Sequence, residues 1–68
     1  MTEVTAYNTN EAIIWVKEYD DTPDDALNKA IKELGCLTDS KHFKEIDGIY
    51  YCCIEKYRCF GRLVASEK

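Results

Sequence analysis

Thr22-Pro23-Asp24-Asp25-Ala26-Leu27-Asn28-Lys29-Ala30-Ile31-Lys32-Glu33-Leu34-Gly35 decides the fold, because it reads as a helix with both of its ends written in. The Thr22 hydroxyl can accept a hydrogen bond from a free backbone N–H of the first turn. Pro23 takes the first helical position, where a missing N–H costs nothing. Asp24 and Asp25 set negative charge against the positive end of the helix dipole. Gly35 suits the left-handed conformation that closes a helix. Between these ends Ala26, Leu27, Ala30, Ile31 and Leu34 form a single apolar stripe.

On the N-terminal side, residues 12–19 are rich in β-branched and aromatic side chains and predict a strand. Alternation gives one face of Ile13, Trp15, Lys17 and Tyr19 and another of Ala12, Ile14, Val16 and Glu18. Both faces are apolar in the middle, which predicts a central strand. Residues 2–7 are more polar and predict a short edge strand, joined to the next by the loop-forming Asn8-Thr9-Asn10-Glu11.

On the C-terminal side, Asp47-Gly48 sits between two strand-like runs, residues 41–46 and 49–55, and predicts a hairpin with a two-residue type I′ turn. Such a turn sets Ile46 opposite Ile49, Glu45 opposite Tyr50, Lys44 opposite Tyr51, Phe43 opposite Cys52 and His42 opposite Cys53. Phe43, Tyr50, Cys52 and Ile54 then share the face that the helix covers. Residues 58–65 have strand composition and predict a last hairpin turning at Lys56-Tyr57, the alternative being one long strand bent at Gly61. Residues 66–68 are expected to fray.

These elements predict an α+β fold: a single α-helix on one face of a four- to five-stranded, mostly antiparallel sheet, in ββαβββ or βαβββ order. One domain accounts for all 68 residues. One helix stripe covers one sheet face, so the other is left for solvent, a ligand or a partner. On the alternation above that face carries Trp15, Lys17 and Tyr19 with His42, Lys44, Tyr51, Cys53 and Glu55, an aromatic-rich set.

The net charge of −4 is unevenly spread. Residues 1–40 carry nine acids and three bases, and residues 41–68 carry six bases and four acids. An acidic half repels nucleic acid and attracts basic protein surfaces. Residues 1–8 lack the basic start and apolar run of a signal peptide, and no apolar stretch approaches the roughly 20 residues that span a bilayer. A cytoplasmic setting is expected, with no membrane partner, and with Cys36, Cys52, Cys53 and Cys59 as free thiols.

Four cysteines and one histidine raise the question of zinc, but no Cys-x-x-Cys pair is present. Cys52 and Cys53 point to opposite faces of a strand, and Cys36, His42, Cys53 and Cys59 would have to be gathered by the fold. No metal and no cofactor are expected. His42 beside Cys53 has the residue types of a base and a nucleophile, yet a single layer of sheet and helix offers little concavity. The chain carries no Gly-rich phosphate loop, His-Glu-x-x-His or Gly-x-Ser-x-Gly, and no enzymatic activity is expected.

Two interaction surfaces remain. Glu18, Asp20 and Asp21 precede the helix and, with Trp15, Lys17, Tyr19 and Tyr51, form the candidate protein-binding set. Lys56, Tyr57, Arg58, Phe60 and Arg62 form a basic, aromatic segment suited to single-stranded nucleic acid, without an RNP-like or OB-type signature beside it. In size and composition, though in no particular motif, the chain resembles the small acidic proteins that phages and mobile elements encode, anti-CRISPR proteins among them. That resemblance implies a non-enzymatic inhibitor that binds a larger host enzyme or defence complex. A homodimer through the open sheet face or an edge strand is the other partner expected.

Overall fold

The computed structural model describes residues 1–67. Its elements are strand β1 (Thr2–Asn8), strand β2 (Ile13–Tyr19), helix α1 (Pro23–Leu34), strand β3 (Phe43–Ile46), strand β4 (Ile49–Ile54) and strand β5 (Cys59–Glu67). A short 3-10 turn, Glu55–Tyr57, joins the last two strands. All strand pairings are antiparallel and give one five-stranded sheet in the order β2-β1-β5-β4-β3. The fold is α+β with ββαβββ order, as the sequence predicts.

The helix forms for the reasons its ends suggest. Thr22 is extended and its hydroxyl accepts from the Asp25 N–H, while Gly35 closes the helix at φ 66°. Cys36 N–H then bonds the Ile31 carbonyl at 3.0 Å and turns the chain back toward β4. Ala26, Leu27, Ala30 and Leu34 are buried and Ile31 is packed against the core. The hairpin also takes the expected register, Ile46 to Ile49 through Phe43 to Cys52. Asp47 and Gly48 have φ of 52° and 79°, the pair of positive values that a type I′ turn requires. Cys53 N–H donates to the His42 carbonyl at 3.2 Å, extending the pairing one step.

Two strand positions are exchanged relative to the sequence reading. β2, expected in the centre, is an edge, and β1, expected at an edge, lies between β2 and β5. The cause is the long-range pairing of the first strand with the last, from Thr2–Glu67 to Asn8–Gly61. Composition also marks β1 as interior once the helix is considered. Thr2, Val4 and Ala6 are fully buried, and small side chains here let the helix approach closely. Thr2, the buried polar residue among them, donates from its hydroxyl to the Asp21 carbonyl at 2.7 Å. Ser66 and Glu67, expected to fray, pair with Glu3 and Thr2 instead. Lys68 lies outside the described residues.

The chain turns between β4 and β5 as a hairpin, and Gly61 has a different role from the bend considered for it. It is buried where β5 crosses β1, and a Cβ there would overlap the Tyr7 carbonyl oxygen and stand 3.1 Å from Ile54 Cδ1. Both obstacles lie in the middle of the sheet, and the nearer one is backbone. Replacing Gly61 by Ala should therefore destabilise the fold by about 3 kcal/mol, seen as a lower urea midpoint with an unchanged slope.

Candidate functional site: the open sheet face

Strand pleating places residues of like parity on one side of the sheet. Val4, Ala6, Cys52, Ile54 and Leu63 are fully buried, so the opposite parity in β1, β4 and β5 defines the open face. Its side chains fall into rows across the strands. One row crosses all five strands as Ile13, Tyr7, Arg62, Tyr51 and Lys44. The next is largely aliphatic: Val16, Thr5 and Val64 in one half of the face, continuing through Ile49 and Ile46 in the other. Glu18, Glu3 and Ser66 lie beyond it at one end, and Phe60 and Cys53 at the other. Ile13, Val16, Ile46 and Phe60 are 60%, 48%, 45% and 49% exposed. That is much apolar surface for so small a protein.

Arg62 sits in the middle of this face. Its guanidinium lies 4.4 Å from the centre of the Tyr7 ring and pairs with Glu11 at 2.5 Å. The hydrogen bond and charge of Arg62 hold the Glu11 carboxyl below its usual range, and the same bond holds the guanidinium proton more firmly. Glu11 reaches Arg62 from a strained loop position, φ 67°, and the Asn8 side chain accepts from the N–H groups of Asn10 and Ala12 to shape that loop. Tyr51 and Phe60 form a shared wall between two shallow depressions. One, of about 200 Å³, is bounded by Asn8, Glu11 and Arg62, and the other, of about 320 Å³, by Lys41, His42 and Lys44.

Tyr51 is on the open face, as the sequence suggested, and Glu18, expected on the helix side with Val16, is there too. Trp15, Lys17 and Tyr19 are not. Lys17 pairs with Val4, and Trp15 with Ala6, both on the helix side. Trp15 packs against the core, Tyr19 is buried, and the Lys17 ammonium and Tyr19 hydroxyl both donate to the carboxylate of Glu33 on the helix. The alternation of β2 is as expected, but its helix-facing side is the one that carries polar tips. An edge strand allows this, because long side chains reach round the rim to the helix. A β-bulge between Ala6 and Tyr7 also exchanges two isoleucines, turning Ile13 outward and leaving Ile14 packed on the core.

Of the other acidic candidates, Asp20 is exposed in the turn before the helix, and Asp21 is engaged by Lys29 at 2.8 Å. The fold adds to them. Antiparallel pairing brings Glu67 beside Thr2 and carries the Asp47 turn to the same end of the sheet. Burial, with the nearby charges of Glu45 and Asp24, raises the Tyr50 hydroxyl above the ordinary range. Eight of the thirteen acids (Glu3, Glu18, Asp20, Asp21, Asp24, Asp25, Asp47 and Glu67) thus gather at the helix N-terminal end, where Lys29 pairs with Asp21. The halves of the sequence understate this separation.

The basic segment is divided. Lys56, Tyr57 and Arg58 occupy the exposed turn, where the Lys56 ammonium lies 5.9 Å from the Tyr57 ring centre, whereas Arg62 is inside the open face. His42 Nδ1 is in hydrogen-bond contact with Asp39 Oδ1 at 2.7 Å, so the ring's partner is Asp39 and its link to Cys53 is through the backbone. Cys36 and Cys52 meet inside the core, and their hydrogen bond together with burial pushes the Cys52 thiol well up. Among the described residues no three His, Cys, Asp or Glu side chains are gathered in a way that would hold a metal, and no helix is long and apolar enough to cross a membrane.

Sequence reasoning passed over Tyr7, Ile13 and Val16. The alternation of Glu3, Thr5 and Tyr7 against Thr2, Val4 and Ala6 was the signal available for the first of these.

Burial and the Glu33 carboxylate raise the Tyr19 hydroxyl above the ordinary tyrosine range. A raised pKa in the folded state contributes stability below the unfolded value of about 10, and loses it as pH climbs above that value. Wild type should therefore lose stability more steeply than Tyr19→Phe above about pH 10, measured by urea unfolding across that range.

Comparison of the chain with family models, with curated proteins and with solved structures gave no match.

Proposed function

We propose that this protein is a small non-enzymatic binding module that docks its open sheet face onto a larger protein and acts by occluding the site it covers. One observation carries the reading: the aliphatic row and the Tyr7–Arg62–Tyr51 row stand side by side on a rigid sheet, with no element of the described chain over them. Aromatic and arginine side chains on such a surface supply most of the affinity in protein interfaces. The sheet is backed by the helix, so little order is lost on docking. The acid-rich end adds long-range attraction to a basic partner and raises the rate of encounter more than the final affinity. An inhibitor of a host enzyme or defence complex, of the kind phages and mobile elements encode, working in the cytoplasm, fits this design.

A nucleic-acid reading has one specific observation in its favour. Tyr51 and Phe60 stand beside Arg62 and Lys44, as stacking side chains stand beside cations in single-strand binders. Against it, Glu11 already neutralises Arg62, and the far end of the molecule repels phosphate. The protein-binding reading expects no retention of single-stranded DNA or RNA at low salt. Retention that falls steeply as salt rises would favour the alternative.

With the partner captured from host lysate, Tyr51→Ala and Phe60→Ala should each weaken binding by about 2 kcal/mol with the thermal midpoint unchanged. Trp15→Ala serves as the contrast, since it should lower stability by about 2 kcal/mol through lost packing. Binding indifferent to both open-face substitutions would remove this face from the interaction.

A further inference from the structure

We propose that in the absence of its partner a second copy of this chain covers the open face, docked sheet to sheet across a two-fold axis along one diagonal of the sheet. The inference rests on the reading of that face as a docking surface and concerns what occupies it. Charge selects the arrangement. Glu18 stands on edge strand β2 at the acidic end, and Lys44 on edge strand β3 beyond the aliphatic row, so the two mark opposite corners of the face. Both side chains are exposed. An axis parallel to the strands would lay the acidic end on itself. An axis along the other diagonal, crossing the line from Glu18 to Lys44, instead sets Glu18 of each copy on Lys44 of the other, twice, by symmetry. The sheets then cross at a steep angle, close to the orthogonal packing that sheets adopt.

The same operation makes Ile13 and Phe60 exchange places, so each covers the other, and it brings Val64 near the axis. Ile13 and Phe60 are among the most exposed large apolar side chains of the described chain. Arg62, near the centre, brings no unpaired charge because Glu11 neutralises it. Five strands about 4.8 Å apart and about seven residues long present roughly 500 Å² per copy, so the dimer covers roughly 1,000 Å². That area meets the lower limit for a specific interface and fits a reversible dimer that a tighter partner displaces.

Sedimentation of the full chain from low to high micromolar concentration should show a monomer–dimer equilibrium. Lys44→Glu and Glu18→Lys should each raise the dissociation constant about tenfold, and the two together in one chain should restore it. Phe60→Asp should leave only monomer, with circular dichroism confirming the fold of every variant. A wild type that stays monomeric throughout would overturn the dimer while leaving the partner-binding test above intact. A dimer that survives Phe60→Asp, or a charge swap that restores nothing, would overturn this geometry.

Discussion

The pairing of β1 with β5 is the interaction on which the rest depends. It joins the first and last strands of the chain in the middle of the sheet, and it links the β1–β2 hairpin to the β3–β4–β5 meander. The helix lies over this seam, with Val4, Ala6 and Leu63 buried beneath it. Closing the seam brings the two ends of the chain together, the most costly kind of contact in conformational entropy. The gain comes from backbone hydrogen bonds along seven residue pairs and from burial under the helix. The close passage of Gly61 over Tyr7 belongs to the same seam, so the helix-covered core and the open face share one backbone support.

Local features of this fold were legible because their signals are local. The caps at Thr22 and Gly35 and the Asp47-Gly48 turn each state a conformation within a few residues, and the hairpin register follows from the turn alone. The order of the strands was not legible in the same way. β2 has the stronger strand composition, and composition invited a central position. What decides the centre is which strand finds β5, a contact across most of the chain that no nearby residue announces. The error passed directly to the candidate surface. Alternation in β2 named Trp15, Lys17 and Tyr19 correctly as a set, but assigning the set to a face needs the side on which the helix sits. Glu33, on the helix's outward flank, draws the polar tips of Lys17 and Tyr19 toward itself, and nothing in the strand itself shows that.

The open face is therefore a better-defined surface than the sequence suggested, and a differently populated one. Its centre is a cation held against the Tyr7 ring, its neighbouring row is largely aliphatic, and its ends differ in charge. Such a pattern has direction. A partner or a second copy that meets the apolar rows is also told which way round to sit, because only some orientations bring the acidic end to a basic surface. The buried cysteine pair, by contrast, stands on the other side of the sheet and takes no part in this surface.

The neighbourhood of Thr2 and Glu67 at the acidic end has a topological consequence. β5 and β1 already stand as the two arms of an antiparallel hairpin that lacks only its turn. A few residues joining them would make the sheet's central pair local in sequence, and the chain could then be opened at the exposed 3-10 turn or at Asp47-Gly48 without breaking any strand. A pairing that now spans the chain would become local, and folding speed follows the sequence separation of contacts. The native order of elements is thus one of several routes through the same set of packed surfaces.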